Sequence, residues 1–263
     1  MKRPALSMGL RALIAGACAL ALAGAAAQPP EHVQILVEDA ASPWSNHDGV
    51  GYANDLVRAA FQAAGVTADL VVVPYARCKS LVMQGGAVGC FSMSASPELA
   101  NRVRFADKPL FSVTPRIYYN PKRRAKPRSL ADIKPGMRLG IVRGYEYPPF
   151  VEQLARRGVL LDRAESDVTN LRKLAVNRLD AALIMTDEMR SADLIRQQAG
   201  ARDIAFAFQS QPMDSFIGFS TRHADGDAQR RRFNAGFETI SSNGVRQTIQ
   251  AQWKARCAKF CPE

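Results

Sequence analysis

Histidine is scarce in this chain, which has three in 263 residues, and they lie far apart at His32, His47 and His223. The sequence also lacks an HExxH motif, a GxSxG motif and a CxxC pair, and no third glycine completes a dinucleotide-binding turn at Gly49 and Gly51. Zinc proteases, serine hydrolases, thiol redox enzymes and dinucleotide-dependent enzymes each depend on one of these patterns. The sequence therefore predicts no catalytic constellation, no metal site and no cofactor.

Long apolar segments are rare as well. One apolar run, residues 13–22, lies near the N-terminus and is shorter than the roughly 18 residues that a membrane-spanning helix needs. It follows Lys2, Arg3 and Arg11 and precedes three alanines at positions 25–27. This order is typical of a secretory signal peptide, and it predicts cleavage after residues 1–27 and a periplasmic protein. A lipid anchor on Cys18 is the alternative.

Cysteine is limited to five residues, and four remain after the predicted cleavage: Cys78, Cys90, Cys257 and Cys261. An even number of cysteines in an exported protein indicates disulfide bonds, because that compartment is oxidising. Three pairings are open to four cysteines. The simplest joins near neighbours, Cys78 with Cys90 and Cys257 with Cys261.

Positive charge exceeds negative charge. The chain has 35 Lys and Arg against 24 Asp and Glu, a net charge of +11, of which three positive charges belong to the predicted signal peptide. Two basic clusters stand out, at positions 122–128 and 230–232, but neither is interleaved with the aromatic residues that stack on nucleic-acid bases. We therefore expect solvated basic surfaces and no nucleic-acid partner. With 47% hydrophobic residues, the composition is that of a globular protein.

Strand and helix patterns alternate along the mature sequence. A β-α-β-α-β order is predicted up to residue 92, with Asn54 as the cap of the first helix; a Pro- and Arg-rich stretch then interrupts it at 121–135. The alternation resumes afterwards and includes a helix predicted from Asp187 to Ala199. Such an order predicts an α/β protein with mostly parallel sheets. In the last helix, Val245, Ile249 and Trp253 form one apolar stripe, which we expect to pack on the first part of the fold.

Six short motifs occur in the order in which one known family carries them. In chain order they are Pro43-Trp44 with Gly49 and Gly51; Tyr75-Ala76-Arg77 leading to Ser92 and Ser94; Phe105–Leu110; Leu139–Val142 with Gly144; Leu174 with Arg178–Ala181; and Asn243-Gly244 before Trp253. In these motifs, which span the mature chain, the sequence resembles the extracellular solute-binding proteins of family 3. These are the amino-acid-type receptors of bacterial uptake systems.

The resemblance implies a two-lobed type II periplasmic-binding-protein fold. Each lobe would be a mostly parallel sheet flanked by helices, and two hinge strands would join the lobes. The expected boundaries are 28–117 for the first part of lobe 1, 118–212 for lobe 2 and 213–263 for the return to lobe 1. A small polar or charged ligand would be held in the cleft, and an inner-membrane ABC permease would be the protein partner of a monomeric receptor.

The resemblance also implies which residues bind the ligand. The candidates lie at or just after predicted strand ends, where open parallel sheets place their ligands. In lobe 1 they are Glu38, Trp44, Tyr75, Arg77, Ser92 and Ser94, and in lobe 2 they are Arg143, Tyr145, Glu146 and Asp187.

Two departures from the family pattern concern the ligand. Leu99 occupies the position of the arginine that pairs with the α-carboxylate of an amino acid, and the acid that meets the α-ammonium falls near Met185, two residues before Asp187. The ligand class therefore stays open between an amino acid and a related compound. Two alternatives to a transport receptor share this fold: an exported, dehydratase-like enzyme and a signalling protein.

Overall fold

The structure is a computed structural model that describes residues 31–124 and 126–259, without the side chain of Lys259. The predicted signal peptide and Cys261 lie outside the described residues. Among the residues described, no helix combines the length and the apolar character needed to cross a bilayer.

The described residues form twelve strands and seven helices. In chain order the strands are β1 (Glu31–Val37), β2 (Ala40–Ala41), β3 (Ser45–Asn46), β4 (Val66–Val72), β5 (Gly89–Met93), β6 (Val103–Phe105), β7 (Phe111–Tyr119), β8 (Arg138–Val142), β9 (Leu160–Ala164), β10 (Ala181–Thr186), β11 (Ala205–Gln209) and β12 (Met213–Ser220). The helices are α1 (Tyr52–Ala63), α2 (Tyr75–Gln84), α3 (Phe150–Arg156), α4 (Asp167–Ala175), α5 (Ala192–Gln198), α6 (Gly226–Ser242) and α7 (Val245–Lys259), with one 3-10 turn at Leu130–Asp132.

Ten of the twelve strands form one sheet with two halves that meet in its middle, and β2 and β3 pair apart from it. Its order is β4-β1-β5-β12-β7-β10-β8-β9, with β6 added to β12 and β11 added to β7. The outer strands β4-β1-β5 and β10-β8-β9 pair in parallel within each half. We refer to the β4-β1-β5 half with α1, α2, α6 and α7 as lobe 1, and to the β10-β8-β9 half with α3, α4 and α5 as lobe 2.

Two long strands link the lobes. β12 lies antiparallel to β5 of lobe 1, and β7 lies antiparallel to β10 of lobe 2. The two linking strands pair with each other where Met213–Ser215 lies opposite Phe111–Val113. The chain therefore passes between the lobes at β7 and again at β12, and residues near this pairing face both lobes.

The start of α1 differs from the sequence prediction. The helix begins at Tyr52 after Gly51, and Asn54 lies inside it as a fully buried residue rather than at its cap. Gly51 is required here because a Cβ atom on it would lie 2.1 Å from the carbonyl oxygen of Trp44. The close approach of these two chain segments sets where the helix starts.

The helix predicted from Asp187 to Ala199 is shorter in the structure. It is α5, which begins at Ala192 after a cap by Ser191, whose hydroxyl accepts from the Leu194 N–H at 3.2 Å. The preceding residues form a turn in which the Asp187 carboxylate accepts two backbone N–H groups, from Met189 at 2.8 Å and from Arg190 at 2.6 Å. This local hydrogen bonding competes with helix formation.

The stripe on the last helix packs on lobe 1 as predicted, although not along its whole length. Trp253 is buried and its indole N–H donates to Asp55 Oδ2 of α1 at 2.8 Å, and Ile249 is half-buried against the core. Val245, at the start of α7, is exposed.

A disulfide joins Cys78 of α2 to Cys90 of β5, with their Cα atoms 5.9 Å apart. This bond confirms the first predicted pair, and both cysteines are fully buried. The second predicted pair, Cys257 with Cys261, stays a prediction because Cys261 lies outside the described residues.

Removing this disulfide is expected to destabilise the protein. The bridge spans 12 residues, and in the chain-entropy model a loop of this length contributes about 3 kcal/mol. We therefore expect the Cys78→Ala/Cys90→Ala variant to unfold about 6–12 °C below the parent in differential scanning calorimetry. An unchanged transition, or two free thiols at these positions in peptide mapping of the parent under non-reducing conditions, would contradict the assignment.

Candidate ligand-binding site between the lobes

A small cavity lies where the two lobes meet beside the linking strands. Its lining comes from both lobes and both linking strands, and consists of Glu38, Trp44, Ser92, Ser94, Phe111, Val113, Tyr145, Glu146, Met185 and Ser215. Six of the ten residues predicted to bind ligand are among them. The cavity volume is about 20 Å³, enough for about one water molecule. A larger ligand can enter only if the lobes separate or side chains move.

Glu38 directly follows β1 and is 2% exposed. Its Oε2 accepts from the Tyr145 hydroxyl at 2.8 Å, whereas Oε1 is buried and has no hydrogen-bond partner among the described residues. Burial raises the pKa of Glu38 to about 7. The Ser92 hydroxyl, which lies near the carboxyl group without a hydrogen bond of normal geometry, and the Tyr145 hydroxyl, which bonds to it, oppose that shift. An unpartnered buried carboxyl oxygen is unfavourable unless a ligand supplies the missing donor.

The indole of Trp44 forms an aromatic wall of the cavity. It stacks on Phe111 with ring centroids 4.7 Å apart, and its N–H donates to Asp187 Oδ2 at 2.7 Å. The guanidinium of Arg190 covers the ring at 4.9 Å from its centroid. Asp187 is therefore bonded to Trp44 and is not part of the cavity lining. Burial raises the pKa of Asp187.

Glu146 of lobe 2 reaches into lobe 1. Its Oε2 accepts from the Tyr75 hydroxyl at 2.6 Å and from the Ser94 backbone N–H at 3.0 Å, and its Oε1 accepts from Lys79 Nζ at 3.1 Å. Lys79 also donates to Gly144 O of lobe 2 at 2.8 Å. Burial raises the pKa of Glu146, and the three donors oppose that shift. This carboxylate is the most extensively bonded contact between the lobes at the cavity.

Tyr145 lies beside Glu146 and closes the cavity. Its ring meets that of Tyr75 edge-on, with centroids 5.1 Å apart and planes at 90°. Because its hydroxyl bonds to Glu38 of lobe 1, Tyr145 supplies one of the donors that a bound cation would otherwise offer to that carboxyl group. It is the lining side chain whose displacement would give a ligand access to both oxygens of Glu38.

Two of the predicted ligand residues lie away from the cavity. Arg77 is exposed on α2, between the buried residues Tyr75 and Cys78. Arg143 is exposed after β8 and forms an ion pair with Glu165 at 3.3 Å. The structure thus places both arginines outside the cavity lining, because strand-end position alone does not fix the direction of these long side chains.

Sequence reasoning missed three lining residues on the linking strands: Phe111, Val113 and Ser215. The resemblance implied two hinge strands, but which of their residues face the cavity follows from the β7–β12 register. Ser215 Oγ and Ser92 Oγ are both buried without a hydrogen-bond partner among the described residues. Ser92 also has a φ of 64°, a conformation uncommon for a residue other than glycine and one that clusters at ligand sites.

The lining has a simple charge pattern: two carboxyl groups and no Lys, Arg or His. Leu99, at the position of the expected arginine, is fully buried in the apolar cluster around Cys78 and Val82. Among the residues described, no group of three or more His, Cys, Asp or Glu side chains is arranged to hold a metal ion.

A larger cavity of about 170 Å³ lies near Ser42, Arg172 and Arg190. The Arg190 guanidinium beside it is committed to Asp167, to Met185 O at 2.9 Å and to Ser42 O at 2.8 Å. Among the described residues that line it, no buried side-chain polar atom lacks a partner. We therefore place the candidate site in the smaller cavity, where three such atoms lie.

No family model matches the sequence, and no curated protein matches it. Solved structures do match. An ancestral arginine-binding protein bound to arginine is 18% identical, covering 86% of this chain and 99% of that chain with a TM-score of 0.72. A histidine kinase sensor domain with similarity to periplasmic binding proteins is 19% identical, covering 86% and 97% with a TM-score of 0.72.

A third match is the substrate-binding protein of an amino acid ABC transporter from Streptococcus pneumoniae, bound to L-arginine. It is 15% identical and covers 86% of this chain and 95% of that chain, with a TM-score of 0.69. At these identities the matches establish the fold. The chain has the two-lobed type II periplasmic-binding-protein fold that the sequence resemblance predicted, with lobes joined at β7 and β12.

Proposed function

We propose that the chain is an exported solute-binding protein that captures a small, positively charged polar molecule between its lobes and releases it unchanged. The observation that carries this proposal is the unpartnered Oε1 of Glu38, a buried carboxyl oxygen in the cavity wall. An ammonium or guanidinium group on the ligand would provide the donor that Oε1 lacks.

The surroundings of Glu38 favour a cation. Glu38 and Glu146 are the ionisable acids of the lining, which holds no basic side chain among the described residues. The Ser92 and Ser215 hydroxyls, buried without partners, add hydrogen-bonding capacity for the polar parts of the ligand.

Binding would be coupled to opening and closing of the lobes. The cavity of about 20 Å³ is too small for an amino acid, so the ligand would enter an open form. Closure would then be stabilised by contacts from both lobes to the ligand, as in other hinge-bending proteins. The contacts of Tyr145 and Glu146 with lobe 1 would hold the closed form in the absence of ligand.

The cellular role we propose is capture for an ABC-type uptake system in the periplasm, by a monomeric receptor that docks on an inner-membrane permease. The matches to amino-acid-binding proteins, one of them from an ABC transporter, support this role. Signalling is the second candidate, supported by the match to a histidine kinase sensor domain. A neighbouring permease gene would favour uptake, and a neighbouring kinase gene would favour signalling.

A thermal-shift screen tests the proposal. We expect amines, guanidines or basic amino acids to raise the unfolding temperature of the purified protein, and organic acids to have no effect. Incubation with the best ligand is expected to leave its mass spectrum unaltered. Stabilisation by anions alone would contradict the cation assignment, and conversion above the rate without protein would favour an enzyme of the same fold.

A further inference from the structure

Three donors of lobe 1 converge on one point of the cavity wall. The Tyr75 hydroxyl and Lys79 Nζ come from α2, and the Ser94 N–H comes from the residue after β5. A hydroxyl, an ammonium group and a backbone N–H at hydrogen-bond distance from one group make a site for a carboxylate. We call these three groups the lobe 1 donor set.

The group that fills the donor set is a side chain of the protein itself, that of Glu146. The carboxylate of Glu146 takes all three bonds, and its side chain is 3% exposed. Lys79 is in addition paired with Glu98 at 2.8 Å. Its single positive charge therefore already serves two carboxylates.

Among the described residues, the cavity lining contains no Lys, Arg or His that could pair with a ligand carboxylate. Leu99 is fully buried where an arginine would be needed, and the Arg190 guanidinium, which lies over the Trp44 ring, is paired with Asp167. Arg77 and Arg143 are exposed, the latter paired with Glu165. A second carboxylate at the donor set would have to displace Glu146 or lie against it without a charge to neutralise it.

We propose that Glu146 is a built-in carboxylate that fills the lobe 1 donor set when the lobes close, so that the protein selects amines or guanidines that carry no carboxylate. This inference rests on the proposed function and narrows its ligand class. Glu38 attracts the cationic group, and Glu146 rejects the carboxylate of an α-amino acid by like-charge repulsion and by occupying its donors.

Pairs of compounds that differ only in the α-carboxylate test this selectivity. We would measure agmatine against L-arginine, and cadaverine against L-lysine, by isothermal titration calorimetry with the full mature protein. We expect the decarboxylated member of the better-bound pair to bind at least about tenfold more tightly. Equal binding of the two members, or tighter binding of the amino acid, would overturn the proposal.

The Glu146→Ala variant tests the assigned residue. It frees Tyr75, Lys79 and Ser94 for a ligand carboxylate, so we expect the affinity ratio to move at least about tenfold toward the amino acid. Glu152→Ala is the matched control, because Glu152 is an exposed lobe 2 carboxylate that pairs with Arg156 on its own helix. It should leave the ratio unchanged.

A second variant, Glu146→Gln, keeps the test possible if Glu146→Ala does not fold. Glu146→Gln keeps a side chain of the same shape, loses the charge, and should move the ratio in the same direction by a smaller factor. A ratio that stays at the parent value in every folded Glu146 variant would overturn the proposal. If no member of either pair binds while a neutral or anionic compound does, the cation assignment of the proposed function fails and this inference fails with it.

Discussion

Glu38→Gln is expected to weaken binding of the proposed cationic ligand by about 30- to 4,000-fold, the range that follows from removing one partner of a buried charge pair. The amide retains the shape of the side chain and can still accept from the Tyr145 hydroxyl, so the lobes should close as before. What the variant lacks is the negative charge opposite the ligand. Isothermal titration with the ligand from the thermal-shift screen measures the loss.

The same substitution is expected to change how stability depends on pH. Because burial raises the pKa of Glu38 to about 7, the folded protein binds one more proton than the unfolded chain between pH 4.5 and 7. The stability associated with that proton is fully present below about pH 4.5 and is lost as the pH rises through 7, a total of about 3 kcal/mol. Glu38→Gln has no such group, so its free energy of unfolding should fall less from pH 5 to pH 8.

Urea unfolding at pH 5 and pH 8 gives the comparison, and Glu152→Gln is the control because its exposed carboxylate is not part of the cavity lining. Ligand affinity of the parent should rise over the same pH interval, since the cation binds the ionised form of Glu38. A Gln variant that binds like the parent would remove Glu38 from the site. A pH dependence identical to that of the parent would show that Glu38 is ionised throughout.

Arg190→Leu is expected to destabilise the protein by about 3–5 kcal/mol, since it leaves a buried charge without its partner. Arg190 and Asp167 are each 1% exposed and form an ion pair inside lobe 2. The guanidinium also donates to Ser42 O of lobe 1 at 2.8 Å. Chemical denaturation of the variant and the parent at one pH would measure the difference.

A double variant separates the ion pair from simple loss of packing. Arg190→Leu/Asp167→Leu removes both charges, so much of the lost stability should return. Arg156→Leu is the matched control, because Arg156 is an exposed arginine of the same lobe paired with Glu152, and exposed pairs contribute at most about 1 kcal/mol. If Arg190→Leu destabilises no more than this control, Arg190 has no special role in holding lobe 2.

Much of the fold follows from local sequence. The sequence patterns at 33–38, 75–83, 88–92, 138–142 and 181–185 predict elements within two residues of β1, α2, β5, β8 and β10, because the residues that form these elements are adjacent in sequence. The short edge strand β9 escaped prediction: most of its residues are partly or fully exposed, so it lacks the apolar pattern of a buried strand. The start of α1 was wrong because a long-range contact between Gly51 and Trp44 sets it.

The site was predicted less completely, for a related reason. Glu38 and Ser94 could be placed because each follows a strand that the sequence reveals. That Glu146 bonds with Tyr75 depends on a closed arrangement of residues 71 positions apart, and no local pattern carries that information. The same holds for Ser215, which lines the cavity because β12 pairs with β7. For Arg77, the sequence alone does not fix the direction of the side chain.

The Cys78–Cys90 bridge has a consequence for recognition as well as for folding. Cys78 is the residue before Lys79 on α2, and Cys90 lies on the strand that ends just before Ser94. The bond thus ties together the two elements that carry the lobe 1 donor set. Since donors held at fixed positions lose little conformational entropy on binding a carboxylate, the bridge makes this half of the cleft preorganised in the open form. Lobe 1 would then hold the donor set in place for Glu146, and the selectivity would arise when closure brings that carboxylate onto it.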